Sequence, residues 1–178
     1  GQLIALQILH LQNNRLTKVP PSISQVTSLT ELNISNNFIK KLTISLSQLK
    51  ALRKLHLSKN AIQALPADIS ELAKLKELWI DGNKLQELPP KFENLHSLKL
   101  MRASDNHLRI LPLDFGRLVN LREVGIFKNF IAKYSTQQPF LQVYLDGNGL
   151  TEFPAELTSL QSLKLLNLDN NHLITLPT

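Results

Sequence analysis

The sequence contains no cysteine, and aromatic residues make up only 6% of its 178 residues. Without cysteine there is no disulfide framework, no thiolate metal ligand and no thiol nucleophile, which favours a reducing compartment such as the cytoplasm, or a bacterial source. No apolar run approaches the ~18 residues that a membrane-spanning helix needs. The six glycines are scattered and form no glycine-rich phosphate loop. What remains is an aliphatic protein, 43% hydrophobic, whose core must be built mainly from leucine and isoleucine.

One pattern recurs along the chain, in which an asparagine is followed two residues later by an aliphatic residue and five residues later by a large apolar one. The series consists of Asn14, Asn37, Asn60, Asn83, Asn106, Asn129, Asn148 and Asn171. The spacing is 23 residues at every step except the 19 residues between Asn129 and Asn148. A fixed period of this length is typical of a protein built from stacked repeats.

Each asparagine occupies position 9 of the frame L-x-x-L-x-L-x-x-N-x-L-x-x-L-P-x-x-I-x-x-L-x-x, which we number 1 to 23. The repeats begin near residues 6, 29, 52, 75, 98, 121, 140 and 163. Positions 4 and 6 alternate and therefore place two apolar side chains on one face of a short strand. One repeat cannot bury this apolar surface alone. We therefore expect the repeats to stack and their strands to pair into a parallel sheet.

The asparagine at position 9 lies where the chain leaves the strand and turns. Its amide supplies two donors and an acceptor to backbone groups that a buried turn would leave without partners. Asparagines of neighbouring repeats are therefore expected to form a ladder along the stack.

This frame resembles the leucine-rich-repeat family over nearly the whole chain. The 23-residue length with the L-P-x-x-I-x-x-L segment is similar to the intracellular Ras-group subtype, which occurs in scaffolds that bind Ras-like GTPases. The resemblance implies an α/β leucine-rich-repeat solenoid, a curved horseshoe with a parallel β-sheet on its concave face. It places loops and short helical or 3-10 turns on the convex face. It also implies protein-protein binding on the concave face, makes a small GTPase one candidate partner, and implies no cofactor.

The sixth repeat departs from the frame. Ser135 replaces the proline of position 15, and four residues are missing from the convex side over residues 135–139. A tolerated deletion in a convex loop is the simpler explanation, although such departures also mark functional sites. Neither end shows the polar cap that solenoids need, so we expect residues 1–178 to be a single leucine-rich-repeat domain within a longer protein.

Positions 3, 5, 7 and 8 flank the inward-facing strand residues and should point to solvent on the concave side. Position 5 carries the only tryptophan, Trp79, with His56 and Arg102 in the adjacent repeats, about 5 Å away on either side. Tryptophan, tyrosine and arginine dominate interface hot spots, so a partner-binding surface is predicted, with simple packing of Trp79 on Arg102 or His56 as the alternative. The predicted partner-binding residues are His56, Glu77, Trp79, Asp81, Arg102, Phe127, Tyr144 and Asp146. Phe130, at position 10, is expected to extend this surface onto the flank.

The net charge of +6 is unevenly distributed over the frame. The concave positions hold four basic residues against seven acidic ones, which argues against nucleic acid in the groove and favours a partner with exposed arginine or lysine. The basic excess lies on the rims, where position 2 carries Arg53, Lys76, Lys99, Arg122 and Lys164. Such a row is most often a solvated face, although it could also meet an acidic partner or a membrane surface.

The pattern contains no catalytic or metal site. His10 and His56 share position 5 but lie two repeats apart, about 10 Å, which is too far for one zinc ion. Ser104 lies near Asp81, but no histidine stands where a catalytic triad would need one. We therefore expect a non-enzymatic interaction module or scaffold. The alternatives are the recognition domain of a larger enzyme, such as a kinase, GTPase or ubiquitin ligase, and a receptor ectodomain, against which the missing cysteines count.

Overall fold

A computed structural model of the chain describes residues 3–112, 115, 117–130, 142–153 and 163–176. Within these ranges the chain forms eight strands of three residues each, and every strand covers positions 3 to 5 of the frame. The strands are β1 (Ile8–His10), β2 (Glu31–Asn33), β3 (Lys54–His56), β4 (Glu77–Trp79), β5 (Leu100–Arg102), β6 (Glu123–Gly125), β7 (Gln142–Tyr144) and β8 (Leu165–Asn167). Short 3-10 helices at positions 16 to 20 follow the first four strands. They are Pro21–Gln25, Leu46–Gln48, Ala67–Glu71 and Phe92–Asn94.

The strands form one parallel sheet in sequential order from β1 to β8. Each residue pairs with the residue of the same frame position in the next repeat, as Leu55 does with Leu78. The predicted solenoid, with its parallel sheet and 3-10 turns on opposite sides, is therefore confirmed. The shortened stretch at residues 131–141 lies outside the described residues. Val124 nevertheless pairs with Val143, so the deletion does not change the register of the sheet.

The apolar frame positions form one continuous core. Position 4 and 6 side chains such as Leu55, Leu57, Leu78 and Ile80 are completely buried. Burial of a leucine or isoleucine side chain contributes roughly 1.5–3 kcal/mol relative to leaving it exposed. The core therefore holds the repeats together and presents positions 3, 5, 7 and 8 on the opposite face of the sheet.

The asparagine ladder is present as predicted, and Asn83 illustrates its geometry. Its side-chain amide donates to the carbonyl of Leu57 in the preceding repeat (3.1 Å) and to that of Ile80 in its own repeat (3.0 Å). Its side-chain oxygen accepts from the backbone N–H of Ile62 at 3.0 Å. One side chain thus satisfies backbone groups of two successive repeats and fixes their relative position.

Position 8 adjoins each asparagine, and it has a left-handed backbone in all eight repeats. The φ angles are 60° at Asn13, 55° at Asn36, 53° at Lys59, 61° at Gly82, 54° at Asp105, 51° at Lys128, 66° at Gly147 and 56° at Asn170. Glycine tolerates this conformation best, asparagine and aspartate adopt it more readily than other residues, and lysine is strained in it. The backbone conformation explains the glycines of the two Asp-Gly-Asn segments.

We expect Asn83→Ala to lower the free energy of unfolding by about 1–3 kcal/mol, because it leaves the buried N–H of Ile62 without a partner and removes one of the two asparagine hydrogen bonds to each of the Leu57 and Ile80 carbonyls. The measurement is urea denaturation followed by circular dichroism. The exposed neighbour Lys84→Ala is the control and should change stability by less than about 0.5 kcal/mol. Equal effects of the two substitutions would contradict a structural role for the ladder.

Candidate functional site

Trp79 lies at the end of β4 between its two register partners, His56 on β3 and Arg102 on β5. The imidazole of His56 stacks on the indole, with ring centroids 4.5 Å apart and an interplanar angle of 20°. The guanidinium carbon of Arg102 lies 5.1 Å from the indole centroid. Arg102 is in turn held by Glu123, with Nη2 3.2 Å from Oε1. We call His56, Trp79 and Arg102 the position-5 stack. These contacts hold the three side chains in place in the absence of a partner.

The position-5 stack contains buried polar atoms without partners. Neither Nε1 of Trp79 nor Nε2 of His56 has a hydrogen bond, although both atoms are buried. Nε2 of His56 lies 3.9 Å from Glu77, which is too long for a hydrogen bond. Desolvation by burial lowers the pKa of His56, against the opposing effect of the Glu31 and Glu77 carboxylates. The stacked imidazole is therefore neutral at neutral pH.

Asp81 lies directly beyond the position-5 stack, at position 7. Its carboxylate accepts hydrogen bonds from the Ser104 backbone N–H at 3.0 Å and from the Ser58 hydroxyl at 3.2 Å. Burial raises the pKa of Asp81, and these hydrogen bonds oppose that shift. Asp81 is thus a fixed, partly desolvated acceptor in the groove.

The row of position-5 side chains is interrupted at Gly125 on β6, and a pocket of about 480 Å³ opens there. Its walls include Arg102, Phe127 and Tyr144. The other lining residues are Lys59, Asp81, Gly82, Ser104, Asp105, Glu123 and Lys128. A Cβ atom at Gly125 would lie 3.5 Å from Ser104 Oγ and 3.9 Å from Arg102 Cγ, which are ordinary contacts. A Cβ at this position would therefore be tolerated, and a large side chain there would fill the pocket.

Ser104 lies beside this opening with an unused hydroxyl. The residue is only 2% exposed, and its Oγ has no hydrogen-bond partner. Buried hydroxyls are nearly always paired, so the hydroxyl of Ser104 is an exception, and it lies at the wall of this pocket.

A second concavity of about 350 Å³ lies on the amino-terminal side of the position-5 stack. Amide and hydroxyl side chains line much of it, including Gln12, Asn33, Ser35 and Ser58. It shares Lys59, Asp81 and Arg102 with the pocket at Gly125. The two concavities therefore form one groove along the exposed face of the sheet, which we call the concave groove.

Three concave glutamates contact basic or imidazole side chains, but these contacts leave the acidic excess of the groove unchanged. Glu31 contacts His10 at 2.7 Å, Glu77 contacts Lys54 at 3.5 Å, and Glu123 contacts Arg102 at 3.2 Å. The hydrogen bond from His10 is the main cause of the lowered pKa of Glu31. Among the described residues, the concave carboxylates without a side-chain partner are Asp105, Asp146 and Asp169, and the unpaired cations there are Lys59 and Lys128. Each ion pair removes one positive and one negative charge, so the groove remains net acidic, with four basic residues against seven acidic ones.

The structure brings together most of the residues that the sequence predicts as partner-binding. Trp79, His56, Asp81 and Arg102 line the amino-terminal concavity, while Phe127 and Tyr144 line the pocket at Gly125 together with Asp81 and Arg102. Glu77 lies beside the position-5 stack and forms an ion pair with Lys54. Asp146 lines neither concavity. Phe130 packs on His107 at 5.7 Å and lines a separate concavity on the flank.

Sequence reasoning did not single out Gly125, and it considered Ser104 only as a catalytic nucleophile, not as a residue of a binding pocket. Gly125 could have been recognised from the sequence, because it is the one glycine in the row of position-5 residues. The unpaired hydroxyl of Ser104 could not have been recognised from the sequence, because it depends on which atoms surround it in the structure. In the part of the chain that the structure describes, no three histidine, aspartate or glutamate residues lie close enough to hold a metal ion. No described helix is long and apolar enough to cross a membrane.

The family model described as "Leucine rich repeat" matches residues 4–62, and that described as "Leucine Rich repeats (2 copies)" matches residues 50–94. The chain belongs to the leucine-rich-repeat family. No curated protein matches the sequence at a significant level. The resemblance to the Ras-group subtype stays a prediction.

Two solved structures of leucine-rich-repeat proteins are similar to this chain. An LRR protein of Leptospira interrogans superposes with a TM-score of 0.81 and 30% identity, over 99% of this chain and 52% of that one. The LRR ectodomain of the plant membrane receptor kinase GASSHO1/SCHENGEN3 from Arabidopsis thaliana, in complex with CASPARIAN STRIP INTEGRITY FACTOR 2, gives a TM-score of 0.83 and 28% identity. That match covers 95% of this chain and 22% of the ectodomain chain. The present chain thus spans about half the length of the first protein and about a fifth of the second.

Because Trp79 is the only tryptophan, its fluorescence reports on the position-5 stack alone. We expect the emission to change when His56 is protonated, with a midpoint below the ordinary histidine pKa of 6.5. The unfolded chain takes up this proton near pH 6.5 and the folded chain only at lower pH. As the pH falls from the unfolded pKa of 6.5 to below the pKa of folded His56, this difference in proton binding lowers the free energy of unfolding. The His56→Gln variant should lose the fluorescence transition; a transition at or above pH 6.5, or one that survives in the variant, would contradict the assignment.

Proposed function

We propose that this chain is a non-enzymatic interaction module that binds a protein partner along its concave groove. The observation that carries the proposal is the pocket at Gly125, which adjoins the position-5 stack and is lined by the buried, unpaired hydroxyl of Ser104. Trp79, Arg102, Phe127 and Tyr144 line the two halves of the groove, and these residue types dominate binding energy at interfaces.

The arrangement of these side chains before binding supports the proposal. Ordering a flexible side chain at an interface costs about 0.5–1.5 kcal/mol. Trp79 and Arg102 are already held by stacking and by the Arg102–Glu123 ion pair. Less ordering therefore remains to be done when a partner binds.

The charges of the groove suggest the chemistry of the partner. The pocket at Gly125 is lined by three basic and three acidic residues around apolar walls, which suits an uncharged apolar or aromatic side chain. The carboxylates of Asp105, Asp146 and Asp169, which follow β5, β7 and β8, have no side-chain partner among the described residues. They could bind arginine or lysine side chains of a partner. We propose a partner segment that carries both features. The resemblance to the Ras group makes a small GTPase one candidate, and the absence of cysteine favours a cytoplasmic location.

A recognition domain within a larger protein is a second candidate function. The observation that favours it is that the chain spans only about half and about a fifth of the two similar structures. In the second of these the LRR ectodomain belongs to a receptor kinase and was solved in complex with a second protein. Both candidates use the concave groove in the same way, so one binding experiment addresses the groove in either case.

We expect a display library of random peptides, selected on the wild-type protein, to yield ligands that perturb Trp79 fluorescence and depend on Gly125. Gly125→Tyr places a ring in the pocket and should weaken these ligands about tenfold or more. Gly125→Ala is the matched control: it removes the same glycine, leaves the pocket open, and should retain affinity within about threefold. Circular dichroism would establish that both variants fold. Ligands that bind both variants equally, or the absence of any groove-dependent ligand, would contradict the proposal.

A further inference from the structure

The position-2 residues of four consecutive repeats, Arg53, Lys76, Lys99 and Arg122, stack directly on one another, and we call this row the basic rim. The backbone N–H of Lys76 donates to the carbonyl of Arg53 at 2.7 Å. The N–H of Lys99 donates to Lys76 at 2.8 Å, and that of Arg122 donates to Lys99 at 2.9 Å. Because neighbouring strands lie about 4.8 Å apart, the rim presents a cation about every 5 Å.

Within the part of the chain that the structure describes, no carboxylate forms an ion pair with the basic rim. Glu77 and Glu123 follow Lys76 and Arg122 directly in the sequence, which would suggest local balance. In the structure, however, Glu77 pairs with Lys54 at 3.5 Å and Glu123 pairs with Arg102 at 3.2 Å, both in the concave groove. Among the described residues, none of the four rim cations forms an ion pair.

The neighbouring row of the same sheet shows a different arrangement of charge. At position 3 the residues Glu31, Lys54 and Glu77 alternate in sign on consecutive strands, and Lys54 and Glu77 form an ion pair. Like charges side by side on adjacent strands are destabilising. The uninterrupted cations of the basic rim therefore oppose folding slightly, and a ligand outside the chain would relieve that repulsion.

The surroundings of the basic rim indicate the shape of that ligand. Positions 22 and 23, behind the rim, carry the small side chains of Ala51, Ala73 and Ser97 and the longer ones of Lys50, Lys74, His96 and Asn120, of which Lys50 pairs with Glu71 and Lys74 is a further exposed cation. Val119 is 65% exposed there. Positions 2, 22 and 23 carry no aspartate, glutamate, phenylalanine, tyrosine or tryptophan anywhere in the sequence. Single-stranded nucleic acid is usually held by aromatic stacking, which this surface lacks.

We propose that the basic rim binds the surface of a lipid bilayer that is rich in anionic headgroups. Long basic side chains in one row, about 5 Å apart, can reach a flat anionic surface at several points at once. Clusters of four to eight lysines and arginines are recognised by anionic lipids in this way, and each cation near the surface adds affinity. The rim lies before the strands, whereas the groove residues lie at positions 5 and 7, so bilayer contact leaves the concave groove free for its partner.

The test is co-sedimentation with vesicles of phosphatidylcholine alone and of phosphatidylcholine with phosphatidylserine. We expect wild type to bind only the vesicles that contain phosphatidylserine, and more weakly as salt rises. A rim variant in which Arg53, Lys76, Lys99 and Arg122 are all changed to glutamine should bind these vesicles about 100-fold more weakly. The matched control changes Lys18, Lys40, Lys41 and Lys84 on the opposite flank to glutamine, removes the same charge, and should retain binding within a few-fold. Circular dichroism would establish that each variant folds.

Three outcomes would overturn the proposal. Wild type could fail to bind phosphatidylserine vesicles, the flank control could lose binding as much as the rim variant, or the rim could bind duplex DNA or RNA and not vesicles. The Gly125→Tyr variant separates this proposal from the groove proposal, because it should bind vesicles like wild type whether or not the groove binds a protein.

Discussion

The hydrogen bonds of the position-9 asparagines are the constraint on which the rest of the structure depends. From Asn37 onward, each side chain holds backbone groups of its own repeat and of the preceding one, as Asn83 does with Ile80, Leu57 and Ile62. These bonds hold a register in which every residue faces its equivalent in the next repeat. The contacts of Trp79 with His56 and Arg102 follow from that register, since the three residues are 23 positions apart.

A fixed register converts each frame position into a row of side chains on the surface, and different rows carry different chemistry. Position 5 gives the stack of His56, Trp79 and Arg102 and, at Gly125, the pocket beside it. At position 3, Glu31, Lys54 and Glu77 alternate in charge, and Lys54 pairs with Glu77. Position 2 is a row of cations without counter-charges. The same backbone therefore carries a preorganised groove and a charged rim side by side, and the two can be altered independently.

The sequence frame predicts the strands, their parallel order, the buried positions and the asparagine ladder, because each follows from periodicity. It also places Trp79 between His56 and Arg102. It does not predict the pocket, because a cavity at Gly125 depends on how Arg102, Phe127 and Tyr144 are placed around a missing side chain. Nor does it predict that Glu77 pairs with Lys54 and Glu123 with Arg102 inside the groove. Each glutamate directly follows a cation of the basic rim in the sequence, but neighbouring residues of a strand point to different faces. The frame does not predict the left-handed backbone at position 8 either. Lysine and aspartate occupy that position in some repeats, whereas glycine and asparagine occupy it in the others.

The central claim is that a protein partner binds in the concave groove through the pocket at Gly125. The most direct measurement is a crystal structure of the chain with a partner peptide. The account predicts a peptide side chain packed against Gly125 between Arg102 and Tyr144, with a polar atom bonded to the hydroxyl of Ser104. A complex in which the peptide lies on the flank or the rim, and the pocket stays empty, would contradict it.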